Sequence, residues 1–160
     1  MPNIELAAGI RARIVPETHM PSGPARRFYQ GAWMGGVDTL YPDADLTAPV
    51  HRHTTLDVAG YAAHLSGHVI TVDTHGTVGP IAYLPDNPPR TRADEVRLDE
   101  AARRALDLNR PDASWLFASS RADGQVLAAL AQLADGADRI DRAAAEGRII
   151  WPEHTDADDA

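Results

Sequence analysis

Two spacings divide this chain. Ile10, Ala12 and Ile14 alternate with Arg11 and Arg13, and a period of two places like residues on one face of a strand. Residues 4–15 are therefore predicted as a first strand, bulged at Gly9. Residues 16–24, with three prolines, read as a loop. Residues 27–33 predict a second strand, Gly35-Gly36 a turn, and 41–49 a polar connection. Residues 54–65 read as a short helix with a threonine cap, Asp57 in its first turn and Gly67 beyond its end; a strand pair bent at Gly60 is the alternative. The apolar runs at 68–73 and 78–84, on either side of a turn at 74–77, predict a hairpin.

The spacing changes after Pro88-Pro89, which neither a helix nor a central strand can run through. Residues 91–108 predict a helix with Val96, Leu98, Ala102, Ala105, Leu106 and Leu108 broadly along one side, ended by Arg110-Pro111-Asp112. Residues 114–119 read as a short buried strand or turn. Val126, Leu127, Leu130 and Leu133 make one stripe of a helix over 123–133. Residues 138–146 predict a further helix stopped by Gly147, and 148–151 a short strand or packing staple. The fold class expected is α+β, with a strand-rich N-terminal part over about 1–88 and a helical part over about 91–148 packed on it. Residues 1–154 form one domain and 155–160 an acidic, frayed tail. A chain of 160 residues buries roughly 70% of its unfolded surface, enough for a real core.

Composition narrows the chemistry. There is no cysteine, and arginine supplies all 15 basic residues. Thiolate nucleophiles, disulfides, cysteine metal sites, Schiff-base lysines and the lysine of a phosphate-binding P-loop are excluded. Acidic residues outnumber basic ones 23 to 15, and no basic run exceeds two residues (Arg26-Arg27, Arg103-Arg104). That balance disfavours nucleic acid and anionic membranes as partners. No apolar run approaches the ~20 residues of a membrane span, and no secretory leader is visible, so the expected location is the cytoplasm, or a virion. Alanine occurs 28 times and aspartate 17 times against 6 glutamates. This bias fits GC-rich coding, as in actinobacteria or their phages; a halophile is the second reading.

Five of the seven histidines fall between positions 51 and 75: His51, His53, His64, His68 and His75. Imidazole is a common metal ligand and titrates near neutral pH. On an extended segment, His51 and His53 would share a face, ~7 Å apart. Asp57 and Asp73 offer oxygen ligands. His51-Arg52-His53 followed by Asp57 partly resembles the first metal-binding motif of the cupin family. It departs from that motif in having aspartate for glutamate and Gly67 ten residues beyond Asp57, and no second motif follows Pro85. No cupin function is carried over. The structural reading of these histidines is that they are surface residues or hydrogen-bonded caps.

There is no G-x-S-x-G, H-E-x-x-H or G-x-G-x-x-G. The paired carboxylates Asp94-Glu95 and Asp99-Glu100 read as a solvated helix face. Arg26, Arg27, Phe28 and Tyr29, flanked by prolines, together with Trp33, are the expected partner-contact residues. The leading expectation is a non-enzymatic interaction or assembly protein, part of a larger complex or self-associating, that needs no cofactor. The alternative is a small metal-dependent enzyme or metal-binding protein. It would use His51 and His53 with a third ligand from Asp57, His64, His68 or His75, around one zinc, iron or manganese ion.

Overall fold

The computed structural model describes residues 1–20, 26–30, 33–72 and 79–147. Their order is α1 (Ile4–Thr18), β1 (Met34–Gly35), β2 (Thr39–Leu40), β3 (Thr55–Leu56), α2 (Val58–Leu65), β4 (Val69–Thr71), β5 (Ile81–Tyr83), α3 (Leu98–Leu106), α4 (Arg110–Leu116), α5 (Asp123–Ala134) and α6 (Arg142–Ala145). The fold is α+β, with helices predominating throughout and strands of two or three residues. The hydrophobic core runs through Ile10 and Ile14 of α1, Phe28, Leu40, Leu56, Ile70, Leu98, Leu106, Leu116, Leu130 and Leu133, all fully buried.

The first segment corrects the sequence reading. Residues 4–18 are a helix, not a strand. Asn3 caps it, its side chain accepting from the Leu6 N–H at 3.0 Å. The buried residues are Ala7, Ile10 and Ile14, spaced by three and four, so they form one helical stripe. That stripe faces the core, and α1 packs most extensively against α5. Ile10-Arg11-Ala12-Arg13-Ile14 satisfies both periods; the burial of Ala7 breaks the tie.

Among the described residues of the second predicted strand, Phe28 forms a parallel bridge with Leu56. The Tyr29 N–H donates to the Leu56 carbonyl at 3.0 Å and the Leu56 N–H to the Arg27 carbonyl at 2.8 Å. β1 then pairs antiparallel with β3, Met34 opposite Leu56. The helix expected over 54–65 begins later, at Val58. Its cap is Asp57 rather than a threonine: the Asp57 Oδ1 accepts from the Gly60 N–H at 2.8 Å. The two strands of the expected hairpin pair antiparallel, with Ile70 of β4 opposite Ala82 of β5; the turn expected at 74–77 lies outside the described residues. β2 lies on the other side of β4, Leu40 opposite Ile70.

The predicted helix over 91–108 is interrupted. A 3-10 turn spans Arg92–Asp94, and Val96-Arg97 then runs along the free edge of β5. There the Ala82 N–H donates to the Val96 carbonyl at 2.9 Å and the Leu98 N–H to the Pro80 carbonyl at 2.9 Å. The edge offers unpaired backbone groups, and this pairing delays α3 to Leu98. Arg110-Pro111 starts α4 instead of ending a helix. Proline suits the first turn, where its missing N–H costs no bond, and Asn109 caps the helix from the Asp112 N–H at 2.8 Å. Residues 114–116, read as strand or turn, are therefore helical. α5 matches its prediction within one residue. α6 is only the last part of the helix expected over 138–146. The predicted strand at 148–151 and the tail at 155–160 lie outside the described residues.

Gln30 joins the parts. Buried behind Phe28, it donates from Nε2 to the Leu116 carbonyl at 2.9 Å and to the Ala118 carbonyl at 3.3 Å. Its Oε1 accepts from the Val58 N–H at 3.3 Å.

Candidate functional site

Among the described residues, the histidines of the cluster do not come together. His51 ends a 3-10 turn, Pro49–His51, so the extended geometry that would align it with His53 is absent. The His51 Nδ1 lies 3.1 Å from the Thr54 Oγ1. The His53 Nε2 accepts from the Arg52 Nε at 3.2 Å. Asp57 is fully buried at the start of α2, and His64 is buried in that helix's last turn. His68 follows the helix, its Nδ1 2.9 Å from the Ser66 Oγ. His75 and Asp73 lie outside the described residues. Among the described residues, no three histidine or carboxylate side chains come together as a metal site. His51, His53 and His68 are hydrogen-bonded within their own segments and His64 is enclosed, and the 3-10 turn at Pro49–His51 removes the alignment that a strand would have given His51 and His53.

The aromatic-basic stretch is also largely internal. Arg26 pairs with Asp123 at the start of α5, and its guanidinium lies 5.2 Å from the Tyr29 ring centroid. Arg27 donates to the Leu46 carbonyl at 3.1 Å and the Arg52 carbonyl at 2.7 Å, while its backbone N–H donates to Glu17 at 2.7 Å. Phe28 is fully buried, its ring centroid 6.4 Å from that of Tyr61. Its ring is a core element, out of a partner's reach. Tyr29 is half-buried.

Trp33 differs. Its indole is half-buried and forms one wall of an open cleft of about 360 Å³. The remaining walls are Asp99, Glu100 and Arg103 of α3, and Arg110, Ala113, Ser114 and Phe117 along one stripe of α4 and its end. The ring is held by close packing. A Cβ on Gly79 would lie 2.8 Å from the Trp33 Cζ3, and one on Gly60 would lie 2.6 Å from the Trp33 carbonyl oxygen. Gly79 also has φ near +75°, which glycine adopts without strain. Over the indole, the Arg97 guanidinium carbon lies 5.2 Å from the ring centroid, in cation–π range.

The charges beside Trp33 are ordered by one another. Arg97 pairs with Asp99 at 3.2 Å. Arg103 grips Glu100 with two bonds of 2.9 and 2.8 Å, and Arg104 adds a third at 2.9 Å. The Arg103 hydrogen bonds hold the Glu100 carboxyl at about 2, well below its ordinary value. Arg103 also donates to the Leu108 carbonyl at 2.9 Å. A group that exchanges protons in catalysis works best with a pKa near the operating pH; Glu100 is held far from it. Arg110 and Ser114 make no side-chain hydrogen bond or ion pair with a described residue, so both are available to a ligand.

Trp33, expected from the sequence as a contact residue, lies at the wall of an open cleft. The α3 and α4 walls were not legible in the sequence. The stripe Arg110, Ala113, Ser114, Phe117 has helical spacing, but residues 110–112 read as a helix end and 114–119 as a strand or turn until Asn109 is recognised as a cap. Compared with known proteins, the chain matches no family model, no curated protein and no solved structure.

Proposed function

We propose that the chain is a non-enzymatic interaction protein that takes its place in a larger complex through the Trp33 cleft. The observation that carries this reading is a closely packed, half-exposed tryptophan in a cleft whose carboxylates are already paired with arginines. Rigid tryptophan and arginine surfaces dominate binding energy at protein interfaces, because little conformational freedom is lost on docking. The cleft suits a protein partner that lays an apolar side chain against Trp33 and Phe117 and offers a carboxylate to Arg110.

The test places a photo-crosslinking residue at position 118, which also lines the cleft, with Ser114 either unchanged or replaced in Ser114→Arg, which fills the cleft from an exposed helix position. One partner, cross-linked from position 118 and recovered in near-stoichiometric amount from the native cell, should be lost with Ser114→Arg. Recovery of the same partner by the variant, or a strictly monomeric protein without a cross-link, overturns the reading.

A further inference from the structure

A second cavity shares no residue with the Trp33 cleft. It measures about 380 Å³ and lies between Arg13 of α1, the 42–46 connection (Pro42, Ala44, Asp45, Leu46) and the end of α2 (His64, Leu65, Gly67). That volume falls in the range of small-molecule sites, which run roughly 300–1,000 Å³. Its polar lining comes from three side chains. Arg13 makes no hydrogen bond or ion pair with a described residue. Asp45 uses only Oδ1, which accepts from the Thr47 N–H at 2.9 Å and the Thr47 hydroxyl at 2.6 Å, leaving Oδ2 open. His64 is only 7% exposed, and its Nδ1 is buried without a hydrogen-bond partner.

Arg13 and Asp45 are both exposed and line one cavity without pairing with each other, so each charge stays open to a ligand. The Thr47 hydrogen bonds chiefly hold the Asp45 carboxyl below its ordinary value, and Arg13 is near enough to add to the effect. A ligand carrying only negative charge would meet Asp45 and the carbonyl end of α2, which is electronegative. A ligand carrying only positive charge would meet Arg13. A ligand carrying both charges satisfies both walls.

We infer that this cavity binds a small zwitterion of the amino-acid class, its carboxylate on the Arg13 guanidinium and its ammonium on the Asp45 carboxylate, with the His64 side chain forming part of the wall. A guanidinium can hold a carboxylate by two parallel N–H···O bonds, so Arg13 sets the orientation. The inference stands apart from the partner reading.

The experiment is calorimetric titration of the full chain at pH 7 with free neutral, acidic and basic amino acids, and with propionate and ethylamine as single-charge halves. Arg13→Gln and Asp45→Asn, both at exposed positions, are titrated in parallel after their melting temperatures are shown to match wild type. The expected result is saturable binding of at least one amino acid, weakened about tenfold or more by each substitution, with each half about tenfold weaker than the whole. Lack of saturable binding by every amino acid overturns the inference. So does binding that survives both substitutions, which places the ligand elsewhere, or a half that binds as well as the whole, which makes this a single-charge site.

Discussion

Asp57 shows how one side chain can cap a helix and carry a pH dependence. It is fully buried; Oδ1 caps α2, while Oδ2 has no partner. Burial pushes its carboxyl well above the ordinary value, against the pull of the backbone N–H bonds it accepts. The stabilising state is the protonated one. Its contribution is complete below the ordinary carboxyl range and is lost as pH rises through the raised value in the fold. Asp57→Asn keeps a cap acceptor and removes the charge, so its stability relative to wild type should increase as pH is raised from about 4. Urea unfolding of both proteins across pH 4–8 measures this, and a constant difference would mean the carboxyl titrates normally. Asp57→Ala loses the cap and should cost about 1–2 kcal/mol at pH 5.

Two glycines make a sharper contrast at the same scale. Gly36 and Gly67 both have positive φ, near +82° and +87°. A Cβ on Gly36 would lie 2.0 Å from the His53 carbonyl oxygen, whereas one on Gly67 meets nothing within 4 Å. Gly67→Ala should cost about 1 kcal/mol from backbone strain alone. Gly36→Ala must also push the 49–54 turn away and should cost about 3 kcal/mol or more. Equal denaturant midpoints would show that the turn is free to move.

At the scale of elements, the clamp on α3 tests how far an exposed ion network steadies a cleft wall. Glu100 holds Arg103 and Arg104 one turn on, and its lowered value means that its contribution is present above the ordinary carboxyl range and fades as pH falls towards about 2. The groups are partly solvated, so Glu100→Gln should cost no more than about 1 kcal/mol. Its clearer effect should be faster amide exchange at Arg103–Leu108 at neutral pH, together with a flatter acid limb of the stability curve. Exchange unchanged by the substitution would mean that backbone packing alone holds this turn.

Elements were legible where one spacing fitted one structure. α5 and the β4–β5 hairpin are of this kind. α1 was not, because alternating Arg and Ile over five residues satisfies a strand and a helix alike, and its partner α5 is over a hundred residues away. The break before α3 was hidden for a related reason: Val96 fits an apolar helical stripe, but the unpaired edge of β5 claims its backbone.

For the whole molecule, Pro88-Pro89 marks a change of composition without marking a division of structure. α1 from the first half packs on α5 from the second, and Gln30 hydrogen-bonds to both α2 and the end of α4. Gln30→Met leaves the Val58 N–H and the Leu116 carbonyl without these partners in a buried place, and should cost about 2–3 kcal/mol. Wild type should unfold in one step, with near- and far-ultraviolet circular dichroism transitions coinciding. Separate transitions would show that the halves fold independently.

By itself the sequence determined what depends on residue type and near neighbours: a net acidic charge, the absence of thiols and of lysine, the pairing of β4 with β5, and a long apolar-striped helix. Tertiary structure decided what depends on distant residues meeting. It made residues 4–18 a helix, parted His51 from His53, put Phe28 in the core, and set Trp33 among Gly60, Gly79 and Arg97. Local spacing is blind to such outcomes because burial and backbone hydrogen bonding are settled by partners far along the chain, and those partners outweigh weak local preferences.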